Sequence, residues 1–211
     1  GNGGTDTQEI TVNVTDVDDN LTTAPVDADG VAGGSVDENA ALGTVGITAA
    51  STDADITSGA ITYAIVGGTG ATDFVIDAET GVVSVASGAN IDRETGSSLT
   101  IDVQATPANG AASVTSTFTI TINDVNEFDV TTPVDSNAAA NEVSENAGPG
   151  TLVGIVASAS DADATTNGVT YSLTDSAGGI FEIDAATGEV RLSTAAMAPR
   201  PDFETAESHT I

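Results

Sequence analysis

The strongest constraint on this chain is an internal repeat with a period of about 108 residues. Four short blocks occur twice in the same order along the sequence. The first copies are residues 36–40, 53–55, 61–65 and 74–81, and the second copies are residues 143–147, 161–163, 169–173 and 181–188. Because ordered matches of this kind do not arise by chance, the chain is predicted to be a series of similar units. Units of about 100 residues are also an ordinary domain size.

The boundaries of the units follow from a fifth match. Residues 14–20 resemble residues 122–128, which end the first full period. We therefore expect residues 1–20 to be the last strand and linker of a preceding repeat and residues 21–128 to be one complete repeat. Residues 129–211 are expected to be a following repeat that lacks its last strands.

Apolar residues alternate with polar ones in several short segments, which is the pattern of a strand with one buried face. They are Ile10, Val12 and Val14 in one segment, Leu99, Ile101 and Val103 in a second, and Phe118, Ile120 and Ile122 in a third. Gly81 and Gly188 follow Glu79-Thr80 and Ala186-Thr187 between apolar runs, where a hairpin needs a positive φ. The sequence predicts an all-β fold of tandem antiparallel Greek-key β-sandwiches of the immunoglobulin-like type.

The charge of the chain excludes one class of partner and favours another. There are 32 acidic residues against Arg93, Arg191 and Arg200, which gives a formal net charge of −29. Nucleic acid is excluded as a partner, because binding phosphates requires a basic patch. Cysteine and lysine are both absent, so neither a disulfide nor a Lys–Asn isopeptide bond can stabilise the fold. A bound divalent cation can supply that stabilisation.

Four acidic motifs stand in a fixed order along the complete unit. They are Glu38-Asn39, Asp53-Ala54-Asp55, Asp92-Arg93-Glu94 and Asp124-Val125-Asn126-Glu127. This order resembles the cadherin repeat, whose motifs are E-N, D-x-D, D-R-E and D-x-N-D-N. The alanine-rich, cysteine-free version resembles most the cadherin-like repeats of large bacterial surface adhesins.

The resemblance implies Ca²⁺ as the cofactor, held where one repeat follows another. Carboxylate, amide and main-chain oxygens are the ligands that Ca²⁺ prefers. One complete set of ligands is implied, with main-chain carbonyls from Val125 and Phe128: Glu38, Asp92, Glu94, Asp124, Val125, Asn126, Glu127, Phe128, Asp161, Asp163 and Asn167. Two partial sets are also implied: Asp16, Asp18, Asp19, Asn20, Asp53 and Asp55 towards the start of the chain, and Glu145, Asp202 and Glu204 towards its end.

Four positions depart from the family pattern, and one of them is Ser58, which stands where the second repeat has Asn167. Glu127 replaces the usual linker aspartate, and Phe203 replaces the arginine of the D-R-E motif. Pro107 stands where the family usually has a ligand aspartate, which weakens the expected site nearest to it. We expect two or three ions at each junction between repeats.

An enzymatic function is not expected. Asp92 and Glu94 could serve as the acid and base of a glycosidase, but no aromatic platform for a sugar accompanies them. The only histidine, His209, has no partner for a catalytic triad or a transition-metal site in the sequence pattern.

The resemblance implies a mechanical function: a calcium-stiffened structural repeat of a long extracellular adhesin or surface filament. Its expected partners are neighbouring repeats of the same chain or filament, and a cell-surface protein or polysaccharide is a further possible partner. The alternative is that the repeats themselves mediate homophilic or polysaccharide adhesion. An extracellular location, at a bacterial cell surface or secreted, is implied, and this segment has no apolar run long enough to span a membrane.

The first 20 residues allow two interpretations. The favoured one is that the chain is a window from a longer protein. The other is that the segment with Ile10, Val12 and Val14 completes a neighbouring sandwich by strand donation, because a lone strand is not stable.

Overall fold

The computed structural model describes residues 3–17, 19, 21–30, 33–55, 59–109 and 112–211. It divides into two compact units, Gly1–Asn123 and Asp124–Ile211. Every helix or strand assigned within the described residues is a β-strand, which confirms the predicted all-β fold. None of these residues forms a helix with the length and apolar character needed to cross a bilayer.

The described residues of the first unit form eight strands in two four-stranded sheets. They are β1 (Val26–Asp27), β2 (Gly34–Asp37), β3 (Thr44–Ala50), β4 (Ile61–Gly67), β5 (Phe74–Ile76), β6 (Val82–Val85), β7 (Ser98–Pro107) and β8 (Val114–Asn123). The strand orders are β1-β3-β6-β5 and β2-β8-β7-β4. All pairs are antiparallel except β2 with β8, which is parallel.

The core of the first unit is formed by the inward faces of both sheets. Ile101 on β7 lies opposite Phe118 on β8, and Ile120 is fully buried. Val45 and Val83 from the other sheet belong to the same cluster. The alternation read from the sequence therefore places these side chains between two sheets, as in a β-sandwich.

The turn between β5 and β6 forms as predicted. Gly81 has a φ of +73°, and a Cβ there would collide with the carbonyl oxygen of Ala49. Asp77 closes the turn, because its Oδ1 accepts hydrogen bonds from the Thr80 amide at 2.8 Å and from the Thr80 hydroxyl at 2.8 Å. Gly188 has the same φ in the equivalent turn of the second unit. Both turns thus require glycine for a steric reason.

The second unit contains one sheet with the order β11-β12-β10-β9. Its strands are β9 (Val134–Asp135), β10 (Leu152–Ser158), β11 (Phe181–Ile183) and β12 (Glu189–Leu192). A smaller core covers one face of this sheet and is formed by Val153, Ile180, Phe181, Val190 and Leu192.

One predicted strand is not formed. Residues 3–17 contain no strand, and Ile10, Val12 and Val14 are 76%, 80% and 91% exposed. The sequence predicts this strand as part of a preceding repeat, and a strand needs a hydrogen-bonded neighbour, so the assignment of residues 1–20 to such a repeat stays a prediction. No described strand pairs with this segment.

Candidate metal sites

Glu38 and the loop that contains Asp92 and Glu94 lie together in the first unit. Glu38 follows β2 and is only 2% exposed. Its Oε2 accepts a hydrogen bond from the Arg93 amide at 2.7 Å, and the Asn39 amide donates to the Ile91 carbonyl at 3.0 Å. Asp92 is partly exposed and Glu94 is exposed. The structure therefore brings a buried carboxylate to the loop of two further carboxylates, as the order of motifs predicts.

The second unit repeats this contact with Glu145, Asp202 and Glu204. Glu145 Oε2 accepts a hydrogen bond from the Phe203 amide at 3.0 Å. One carboxylate oxygen from each of the three residues lies within 4.8 Å of the other two. The Thr205 hydroxyl donates to Asp202 Oδ2 at 2.7 Å, and this bond is the main reason why the pKa of Asp202 lies below its ordinary value. All three predicted ligands are exposed and clustered.

Asp163 connects the acidic loop of the second unit to the segment at the start of that unit. The residue is 1% exposed, and its Oδ1 accepts hydrogen bonds from the Glu127 amide at 3.0 Å and the Phe128 amide at 3.4 Å. Its own amide donates to Asp161 Oδ1 at 3.1 Å. Its Oδ2 is buried and has no hydrogen-bond partner.

Asp124 has a similar division between its two oxygens. Oδ2 accepts hydrogen bonds from the Thr165 hydroxyl, from the Thr165 amide at 3.1 Å and from the Thr166 hydroxyl at 3.4 Å. The Thr165 hydroxyl is the largest cause that holds the pKa of Asp124 below its ordinary value. Oδ1 is buried and has no hydrogen-bond partner. Asn126 Nδ2 donates to the Thr166 hydroxyl oxygen at 3.5 Å.

The remaining predicted ligands of this unit are in the same two segments. Val125 and Phe128 lie between Asp124 and the first strand, and Asn167 follows Thr166 in the loop. Asn167 Nδ2 donates to the Ala164 carbonyl at 3.4 Å, and the side-chain oxygen Oδ1 of Asn167 takes no part in this bond. The metal-ligand role of these residues stays a prediction.

The arrangement in the second unit suits a hard cation. A buried carboxylate oxygen without a partner is costly, and Asp163 and Asp124 each contain one. The side chains that the sequence predicts around them offer oxygen atoms and no imidazole or thiolate. Oxygen-only ligand sets favour Ca²⁺ or Mg²⁺ over Zn²⁺ or Cu²⁺.

Asp53 and Asp55 in the first unit repeat one contact that Asp161 and Asp163 make. The Asp55 amide donates to Asp53 Oδ1 at 3.0 Å, and Asp55 is buried. The buried Thr22 donates its hydroxyl to Asp53 Oδ2 at 2.7 Å. Asp16 and Asp19 are exposed, and the predicted ligands Asp18 and Asn20 lie outside the described residues.

A tyrosine fixes the start of each acidic loop. The Tyr63 hydroxyl accepts a hydrogen bond from the Ser51 amide at 2.9 Å, and the Tyr171 hydroxyl accepts one from the Ala159 amide at 3.0 Å. In both units the acidic pair begins two residues later, so a recurring side chain sets the position of recurring carboxylates.

The sequence interpretation missed the threonine hydroxyls that hold these carboxylates. Thr22 and Thr165 are the clearest cases. Threonine is common in turns and acidic loops, so its presence gives little signal without the fold. The only available signal was Thr57, which follows Asp55 at the distance at which Thr165 follows Asp163 and which lies outside the described residues.

Comparison with known proteins gives consistent matches over most of the chain. Residues 33–123 match the cadherin domain family. The chain is 35% identical to Protocadherin Fat 1 of Homo sapiens over 185 residues, which is 87% of the chain and 4% of that protein. It is 33% identical to Cadherin-24 of Mus musculus over 213 residues, which is 96% of the chain and 26% of that protein. The chain thus spans only a small part of each relative.

Solved structures of protocadherin and cadherin segments also match most of this chain. A structure of the Protocadherin gammaB7 EC3-6 cis-dimer matches with a TM-score of 0.66 and 25% identity, covering 88% of this chain and 46% of that one. A structure of mouse Cadherin-23 EC22-24 matches with a TM-score of 0.63 and 25% identity, covering 87% of this chain and 56% of that one.

Proposed function

Because the chain carries a cadherin-like repeat over residues 33–123, we propose that it is a calcium-binding structural segment of a long extracellular protein. In this proposal, Ca²⁺ held at the ends of its repeats makes a run of such repeats resist bending. The observation that supports it best is the buried Oδ2 of Asp163, a charged oxygen without a hydrogen-bond partner. A bound cation would offset the cost of burying that oxygen.

Electrostatic repulsion explains why the ion would act mechanically. Glu145, Asp202 and Glu204 place three carboxylates within one ion's reach, and like charges at such distances repel. A divalent cation replaces this repulsion with attraction and ties separate segments of the chain to one centre. Removal of the ion would therefore loosen the segments that it joins.

The bacterial adhesin type is a finer part of the proposal. It rests on the absence of cysteine and on the high alanine content. The relatives named above come from human and mouse and do not support a bacterial origin. An extracellular location, by contrast, agrees with the cadherin-like repeat itself.

The proposed function is tested by titrating the chain with calcium. Thermal melting, isothermal calorimetry and small-angle scattering are measured in calcium and in EDTA. We expect calcium to bind with measurable heat, raise the melting temperature and increase the radius of gyration. If calcium changes none of these quantities, the acidic residues are only a solvated surface and the proposal is wrong.

A matched pair of variants locates the effect. Asp163→Asn removes one charge from the buried carboxylate, and Glu79→Gln removes one charge from an exposed residue outside the predicted ligands. We expect Asp163→Asn to weaken calcium binding at least tenfold, and Glu79→Gln to leave it unchanged. If the two variants weaken calcium binding equally, the affinity depends only on the net charge of the chain.

Direct adhesion is the second candidate, and the similarity to the gammaB7 protocadherin favours it, because the matched EC3-6 segment of that protein forms a cis-dimer. Sedimentation of the chain in calcium distinguishes the two candidates. Calcium-dependent dimers would support homophilic adhesion, whereas a monomer that becomes stiffer supports the structural function.

A further inference from the structure

The carboxylate of Asp124 has two oxygens with opposite surroundings. Oδ2 accepts hydrogen bonds from the hydroxyl and the amide of Thr165 and from the hydroxyl of Thr166. Oδ1 is buried and accepts none. One oxygen is therefore fully engaged by the protein, and the other remains available for a cation.

We propose that Thr165 is a positioning residue that holds Asp124 in its metal-binding orientation before the ion arrives. This inference rests on the proposed calcium function. The hydroxyl and the amide of Thr165 both donate hydrogen bonds to Oδ2 of Asp124. Two bonds to one oxygen fix the rotation of the carboxylate as well as its position. A ligand that is already ordered loses less conformational freedom when the metal binds.

The contact between Thr165 and Asp124 differs from the threonine contacts to aspartate that close a local turn. Thr80 binds Asp77 and Thr205 binds Asp202, and in each case the two residues are three positions apart in one turn. Thr165 and Asp124 are separated by 41 positions. The bond therefore joins the segment that begins the second unit to the acidic loop. In the first unit, the bond from Thr22 to Asp53 likewise joins the acidic loop to a segment 31 positions away.

The sequence contains a second pair of the same kind. Asp16 occupies the place of Asp124 in the preceding repeat, and Thr57 occupies the place of Thr165 in the loop after Asp55. Thr57 lies outside the described residues, so this pair is a sequence observation only. The pair is consistent with a threonine–aspartate contact at both acidic loops.

The experiment compares three variants of the whole chain. Thr165→Val keeps the shape of the side chain and removes the hydroxyl, whereas Thr165→Ser keeps the hydroxyl. Thr187→Val is the control, because it removes a hydroxyl that bonds Asp184 in a hairpin turn outside the predicted ligands. Calcium binding is followed by the amide resonances of residues 124–128. We expect Thr165→Val to weaken binding about tenfold, with Thr165→Ser and Thr187→Val remaining within about twofold of the parent chain.

A measurement without calcium separates positioning from a purely structural role. In EDTA, the three-bond couplings to the Asp124 carboxyl carbon report its side-chain rotamer. We expect one rotamer in the parent chain and in Thr165→Ser, and averaging between rotamers in Thr165→Val.

Two results would overturn the role of Thr165 without affecting the calcium function. The first is that Thr165→Val binds calcium at least as tightly as the parent chain, and the second is that Asp124 keeps one rotamer in that variant. A parent chain whose residues 124–128 do not respond to calcium would overturn the calcium function and this inference together.

Discussion

Single residues explain why the motifs tolerate substitution at some positions. Glu38 binds the amide of Arg93, and Glu145 binds the amide of Phe203. Since the donor is the main chain in both cases, the replacement of arginine by phenylalanine leaves the contact intact. The departure noticed in the sequence therefore does not disturb the position of Glu145.

Glycine at the turn between β5 and β6 should be indispensable. We expect Gly81→Ala to destabilise the first unit by about 2 kcal/mol or more, because alanine combines an unfavourable positive φ with a collision against the Ala49 carbonyl. Gly88→Ala is the control, since Gly88 has a φ of +80° but open space around its Cα. It should cost about 1 kcal/mol. Urea unfolding of both variants measures the difference, and equal losses would contradict the steric explanation.

Asp77 should contribute stability that depends on pH. The amide and hydroxyl of Thr80, followed by the amide of Glu79, hold the pKa of Asp77 below its ordinary value of 3.8. The folded pKa is lower than the unfolded one, so this stability is present above about pH 3.8 and is lost as the pH falls through the folded value.

The variant Asp77→Asn tests this dependence. It should be less stable than the parent chain near pH 7, and the difference should shrink when urea unfolding is repeated below pH 3.8. Glu79→Gln in the same turn serves as the control and should show no such convergence. A deficit of Asp77→Asn that stays constant with pH would argue against the charge of Asp77 as the cause.

At the scale of elements, the same sequence block folds differently in the two units. Residues 61–65 belong to β4, which pairs with β7, whereas the equivalent residues 169–173 form no strand. Among the described residues of the second unit, no strand is equivalent to β7. The two units therefore differ in whether a pairing strand such as β7 is present, and not in the repeated sequence block itself, because strand pairing is a non-local property.

Supplying the partner should convert residues 169–173 into a strand. We expect this when residues 102–128 are appended after Ile211, since they contain most of β7 and all of β8. Hydrogen exchange of the amides of residues 169–173 should then slow markedly. The same extension with proline in place of its copy of Val103 is the control, because Val103 pairs with Ile65 and proline removes a donor. Equal exchange in both extended chains would show that pairing is not the cause.

At the scale of the whole molecule, the charge of −29 makes the chain sensitive to its ionic medium. Two effects of cations can be separated. General screening acts on every exposed carboxylate and depends only on ionic strength. Specific binding acts at a few sites and depends on the identity of the ion.

Melting temperatures in NaCl, MgCl₂ and CaCl₂ at matched ionic strength should distinguish these effects. We expect the largest increase with CaCl₂, because Ca²⁺ accepts irregular sets of oxygen ligands, whereas Mg²⁺ demands octahedral geometry and retains water. Asp163→Asn should reduce the increase with calcium but not that with sodium. Identical curves for the three salts would indicate screening alone.

The sequence by itself determined the all-β sandwich fold and the acidic clusters that lie within each unit. The alternation around Ile101 and Ile120 and the positive-φ glycines at Gly81 and Gly188 are local signals, and local geometry is sufficient to interpret them. The order of motifs also placed Glu145 beside Asp202 and Glu204.

Only the tertiary structure decided which alternating segments become strands and which atoms hold the carboxylates. Val12 and Ile120 occupy equivalent positions in the repeat, yet one is 80% exposed and the other is fully buried. The bond between Thr165 and Asp124 spans 41 positions and follows no periodic pattern. Both results depend on a partner that is distant in the sequence, and hydrogen bonds between such partners form only when the fold brings them together.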